Sequence, residues 1–134
     1  GPAMEMCARS VILSAGLVSL MADDNYNCAL AHAVCYGLQH FEHVERDDLH
    51  GDLVAYGALV QLMLDGQADK ARELRAFLVS LGTPVTLAEM NVPLDKAALH
   101  DALVEATTGP DMAHIPYPIT QDMVFEAMQR VEAL

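Results

Sequence analysis

Apolar positions in this 134-residue chain recur every three to four residues almost throughout. No stretch alternates apolar and polar side chains as a half-buried strand would. The pattern predicts an all-α fold, a bundle of about six to seven helices. The first covers residues 6–21 and is apolar nearly all round, which predicts a central position. Asp23, Asp24 and Asn25 interrupt it, and Asn25 or Asn27 is placed to cap a second helix reaching residue 40. EHVERDD (42–48) reads as a charged loop before a third helix over 48–64 that stops near Gly66. QADKARELRAFLVSLG (67–82) predicts an amphipathic fourth helix with Gly82 as its stop. TPVTLAEM (83–90) reads as a turn and one short helical turn, and Pro93 suits the first position of a helix to 106. TTGPDMAHIPYP (107–118) is too rich in proline to be anything but an extended loop. Thr120 then caps a last helix to 132, with Asp122 well placed in its first turn.

Composition narrows the picture. Apolar residues make up 53% of the chain and the mean hydropathy is +0.23. A single domain of this size cannot hide so much apolar surface alone, so a face is expected to meet another subunit, most simply in a homo-oligomer. Net charge is −12, from 19 acidic and 7 basic side chains. Phosphate backbones and anionic lipid are repelled by that charge, so neither nucleic acid nor a membrane surface is expected as a partner. The longest uncharged stretch, Ser10 to Ala22, has 13 residues and is too short to span a bilayer. Cys7, Cys28 and Cys35 have no CxxC or zinc-ribbon spacing and read as reduced thiols of a cytoplasmic protein. Residues 1–3, Gly-Pro-Ala, resemble the scar of a cleaved tag, leaving 4–134 as one helical domain.

Two histidines stand out. In ALAHAVCYG (29–37), His32 interrupts an apolar run, with Cys28, Ala29, Cys35 and Tyr36 as its neighbours three and four positions away. That face predicts a buried, neutral imidazole that needs a hydrogen-bond partner or a metal. His50 follows 18 residues later, at the start of the third helix beside Gly51, where backbone is expected to approach closely. The interval suits a helix, a loop and an antiparallel return, an arrangement in which both rings could converge between helices. Two imidazoles suit zinc or ferrous iron, but a site needs a third ligand. Elsewhere, HFEH (40–43) offers His40 and His43 as a surface metal clip or simply an acidic helix end. His100 reads as solvated, His114 lies in the proline-rich loop where ligands are often met, and Tyr36 and Tyr56 read as core. No GxGxxG, Walker, GxSxG or paired CxxC pattern is present.

ALAHAVCYG, LHGDLVAYGALVQLMLDG (49–66), TPVTLAEMNV and AHIPYPITQDMVFEAM (113–128) resemble, in order, successive blocks of the glycerol-dehydrogenase branch of the iron-containing (group III) alcohol dehydrogenases. The resemblance covers about residues 10–132. It implies the family's C-terminal helical domain, of the kind shared with dehydroquinate synthases, and a pairing of His32 and His50 with the two histidine ligands of one zinc or iron. In the family that metal polarises a substrate hydroxyl while hydride leaves for NAD, held by a separate nucleotide-binding domain. The departures from the family are as informative. The family's aspartate ligand and its glycine-rich pyrophosphate loop precede the region matched here. A histidine common three residues after the first ligand is Cys35 here, and the glycine-rich approach to that ligand is DDNYNC (23–28).

These features predict no NAD binding and no autonomous hydride transfer, and they leave open whether the chain is an enzyme. The first reading is a free-standing descendant whose pocket (Asp24, Cys35, Tyr36 and His114 are the candidates) binds a small molecule, with or without a metal, or does non-redox chemistry. The second is one half of a split or fragmented dehydrogenase that docks with a separate nucleotide-binding chain. The third is a non-catalytic interaction module.

Overall fold

The structure, a computed structural model, describes residues 1–21, 29–113 and 115–134, except for the side chains of 14–16, 18 and 19. It is all-α, with no strand among these residues. Helix α1 (Pro2–Arg9) has proline in its first turn and passes through a π-helical stretch, Ser10–Ala15, into α2 (Gly16–Met21). Then come α3 (Leu30–Leu38), the short α4 (Glu42–Asp47), α5 (His50–Leu64) and α6 (Ala68–Leu81). A 3-10 turn, Ala88–Met90, precedes α7 (His100–Thr108), and a second, Pro110–Met112, precedes α8 (Gln121–Glu132).

The core lies where α3 packs against α5 and α7, and where α5 also meets α6 and α8. Leu30, Val34 and Leu38 from α3 share one buried cluster with Leu53, Tyr56, Leu59 and Val60 of α5, Leu103 of α7 and Met128 of α8. Each such leucine is worth roughly 1.5–3 kcal/mol of burial. Two glycines set the spacing. A Cβ on Gly57 of α5 would lie 2.2 Å from the Ala31 carbonyl oxygen, and one on Gly37 of α3 would lie 2.5 Å from that of Ala102. Only hydrogen fits at either crossing.

Helix ends follow the expected chemistry where the signals are strong. Gly66 and Gly82 take left-handed conformations, φ 73° and 76°, and the residue after each donates back across the last turn. Thr120 accepts a hydrogen bond from the Met123 N–H, 3.2 Å, and Asp122 follows in the first turn. Thr86 and Glu89 close a reciprocal cap around the 3-10 turn. The threonine hydroxyl accepts from the Glu89 N–H, and the Glu89 carboxylate from the N–H groups of Val85 and Thr86.

Four expectations are corrected. The charged run 42–48 is mostly helical, because Phe41 accepts backbone bonds from Val44 and Glu45 and Val44 anchors the turn in the core. Helix α7 starts at His100 rather than Pro93, because the Asp95 carboxylate accepts from the Ala98 N–H and holds a turn there. Residues 110–112 of the proline-rich segment form a 3-10 turn, where Asp111 is buried. Most consequential, α1 has no buried residue, and Met4, Met6, Val11, Ile12, Leu13, Leu17, Leu20 and Met21 are all exposed, Leu20 to 85%. The apolar pattern identifies a helix that wants to be surrounded; nothing among the described residues surrounds it. The capping role given to Asn25 or Asn27 lies outside the described residues, and α3 instead starts with Gln61 of α5 accepting from the Ala31 N–H at 3.3 Å.

Candidate functional site

Gln61 meets Ala31 at the start of α3, whereas His50 meets Cys35 nearer its end, so α3 and α5 run antiparallel. The close crossing permitted by Gly57 brings the first turn of α5 alongside α3. His32 and His50 consequently face each other with ring centroids 5.9 Å apart. Tyr36, one turn beyond His32, completes a triangle of rings, 6.0 Å from His50 and 6.4 Å from His32. The three planes are mutually tilted by 43–46°, so the rings meet at angles rather than stacking.

The cluster is more open than its neighbours in sequence suggested. His32 is half-buried and His50 is exposed, and Tyr36 is 39% exposed rather than part of the core. The reason is helical phase. Ala33, Val34, Gly37 and Leu38 take the inward face of α3, leaving His32 and Tyr36 at its margin. Cys35 is fully buried beneath them, its Sγ 3.5 Å from His50 Nδ1 and 3.9 Å from the His50 carbonyl oxygen. Burial pushes the Cys35 thiol up to about 11, so at neutral pH it keeps its proton, with the His50 carbonyl oxygen as acceptor and His50 Nδ1 in hydrogen-bond contact with the sulfur. Gly51 has open space where its Cβ would stand; the expected close approach is at Gly57 instead.

None of the other candidates among the described residues joins this cluster. His43 Nε2 lies 3.1 Å from the Met90 carbonyl and its ring packs edge-on against Phe41, while His40 is 3.9 Å from the Glu105 carboxylate. The two therefore form no clip. His100 is exposed at the start of α7. Asp24, Cys28 and His114 lie outside the described residues. The loop flanking His114 does form an open cleft of about 420 Å³ lined by Thr107, Met112 and Ile115 through Ile119. Tyr117 in that cleft donates to the Asp65 carboxylate, which holds its phenol above the ordinary value. Tyr56 is buried as expected, and burial, with the Glu132 carboxylate next, pushes its phenol well up. The ring triangle could have been anticipated from the small residues at Ala31 and Gly57, which mark where the two helices touch.

A metal of the kind bound by paired imidazoles finds two nitrogen donors here. No group of three or more histidine, cysteine, aspartate and glutamate side chains is assembled to hold an ion among the described residues. The donors thus fit part of a zinc or iron coordination set and leave it one protein ligand short. When bound, such an ion would supply Lewis-acid polarisation of a hydroxyl or carbonyl oxygen. No described helix is long and apolar enough to cross a membrane.

Fold and cluster together define an all-helical module that brings two imidazoles from antiparallel helices to one exposed edge. No family model matches the chain. It is 34% identical over 126 residues to hydroxycarboxylate dehydrogenase A of Escherichia coli, covering 92% of this chain and 34% of that protein. Glycolaldehyde reductase of Halobacterium salinarum is 32% identical over 124 residues, 89% of this chain and 33% of its own length. Glycerol dehydrogenase of Citrobacter freundii is 32% identical over 107 residues, 78% of this chain and 29% of its own length. The chain therefore belongs with the C-terminal helical domain of the iron-containing alcohol dehydrogenase family, and spans about a third of the length of the curated relatives it matches.

Proposed function

We propose that this chain is a metal-side binding module of dehydrogenase ancestry. His32 and His50 hold one divalent ion, zinc or iron, at an open edge where a small hydroxy or carbonyl compound meets it. The observation that carries this reading is the 5.9 Å approach of two imidazoles delivered by different helices. NAD is not expected to bind, since none of the eight glycines belongs to a GxGxxG or Walker-type phosphate loop. Hydride transfer therefore requires a nucleotide-binding polypeptide that these residues do not include. The exposed apolar surface of α1 and α2 favours association, and we take its occupant to be a second copy of the chain.

Zinc titration by calorimetry tests the reading. The chain is expected to bind one ion, His32→Ala and His50→Ala to abolish binding, and His100→Ala to leave it intact. Unchanged binding by His32→Ala, or no binding by the unaltered chain, would overturn it.

A further inference from the structure

We infer that two copies of the chain pair antiparallel through the helical run 2–21, centred near Gly16, with Arg9 of each copy selecting that orientation. The inference rests on the reading above that a second copy covers this surface, and adds the orientation, the register and the selecting residue. Helix α1, the π-helical stretch and α2 follow one another without a break, so residues 2–21 form one rod about 30 Å long. Val11, Ile12, Leu13 and Leu17 along its middle, and Leu20 and Met21 at its end, are all more than half exposed. Residues Ser10 to Ala22 carry no charge. That makes the rod the place where two chains of net charge −12 approach with least repulsion.

The charges that bound the uncharged stretch differ in sign. Arg9 stands before it, and in the sequence Asp23 and Asp24 follow it. A parallel pair in register sets Arg9 against Arg9, Glu5 against Glu5 and the acidic end against itself. An antiparallel pair centred on Gly16 sets position 9 of one copy opposite position 23 of the other, so unlike charges meet at both ends. The helix dipoles agree, since each positive N-terminal end then lies beside a negative C-terminal one. Arg9 already meets Glu5 one turn back at 2.5 Å, with both side chains mostly exposed. So exposed a pair holds its partners weakly, and a guanidinium with five N–H donors can serve a second carboxylate as well. The end charges thus choose the orientation, while the apolar stretch supplies the affinity.

Nitroxide labels on one cysteine at a time, at Met4→Cys, at Cys7 and at Leu17→Cys, read the orientation as pulsed dipolar distances between copies. Cys28 is replaced by serine throughout, and Cys7 wherever the label sits elsewhere; Cys35 is fully buried. In an antiparallel pair each residue nearer the centre shortens the label-to-label distance by about 3 Å, twice the helical rise. The Met4→Cys distance is therefore expected to exceed that of Leu17→Cys by about 30 Å, with Cys7 in between. Should the Leu17→Cys label block pairing, the drop of about 9 Å from Met4→Cys to Cys7 decides. Arg9→Glu is expected to weaken association at least about tenfold more than Arg72→Glu, an exposed change on α6 that alters the net charge equally. Distances that stay level along the rod would overturn the antiparallel pairing and leave self-association standing. An Arg9→Glu effect no larger than that of Arg72→Glu would overturn Arg9 as the selecting residue. No dipolar coupling at any position, with a mass of 14.5 kDa, would overturn both the pairing and the reading it rests on.

Discussion

Single residues in this chain carry more than their pattern announces. Glu132 is one. Its carboxylate accepts from the Leu87 N–H at 2.7 Å, ties α8 to the 3-10 turn, and sits beside the fully buried Tyr56. Burial raises its pKa above the ordinary 4.5, with Glu89 adding to the rise, while the Leu87 hydrogen bond, Tyr56 and Arg75 oppose it. A raised carboxyl binds its proton more tightly folded than unfolded. Its contribution is complete below about 4.5 and is lost as pH rises through the folded value. Glu132→Gln keeps the acceptor and removes the charge. Its melting temperature is therefore expected to match or exceed that of the unaltered chain at pH 8, with the gap closing toward pH 4. A lower melting temperature at pH 8 would mean that the carboxylate stabilises the fold. This cluster was invisible in the sequence, because Tyr56 and Glu132 are 76 positions apart and nothing local links them. The convergence of His32 and His50 was legible through the family resemblance, which the 18-residue interval permits but does not by itself require. Their exposure was not. One helical turn of neighbours does not say which stripe faces inward.

At the scale of elements, the site depends on how closely α3 and α5 approach. Gly57 decides that distance: any side chain there meets the backbone of Ala31, the residue before His32. Gly57→Ala is expected to cost about 1–3 kcal/mol or more in urea unfolding, since backbone has nowhere to relax. It should weaken zinc binding as well by parting the helices. Gly51→Ala, on the same helix but in open space, is expected to be neutral or to gain up to about 1 kcal/mol from helix propensity. Equal stability of the two variants would sink this account of the crossing. Element boundaries were legible where the stop is a left-handed glycine or the cap a threonine, as at Gly82 and Thr120. They were misread at Pro93 and at 42–48. There a side-chain turn at Asp95 and one buried valine outweighed the local composition.

The whole molecule sets a different problem: its most apolar helical segment is its most exposed. Residues 10–21 carry no charge, and Ile12, Leu17, Leu20 and Met21 all face outward. Periodicity located this segment correctly and misplaced it in space, because an apolar helix is central only where other elements pack around it, and among the described residues the core forms between α3, α5, α6, α7 and α8 instead. The chain matches only about a third of its relatives' length. Burying one large aliphatic side chain is worth roughly 1.5–3 kcal/mol, so a few leucines suffice to drive pairing. Opposing this is the net charge of −12 on each copy, a repulsion that salt screens. Self-association is therefore expected at micromolar concentration and should strengthen as sodium chloride is raised, the reverse of an interface held by ion pairs. Replacing Ile12 by lysine and Leu20 by glutamate should return the chain to a monomer without lowering the unfolding midpoint, because neither side chain reaches the core formed by α3, α5, α7 and α8. Multi-angle light scattering over a concentration and salt series reads both effects. A constant mass of 14.5 kDa throughout would show that the exposed helix is not an interface between copies.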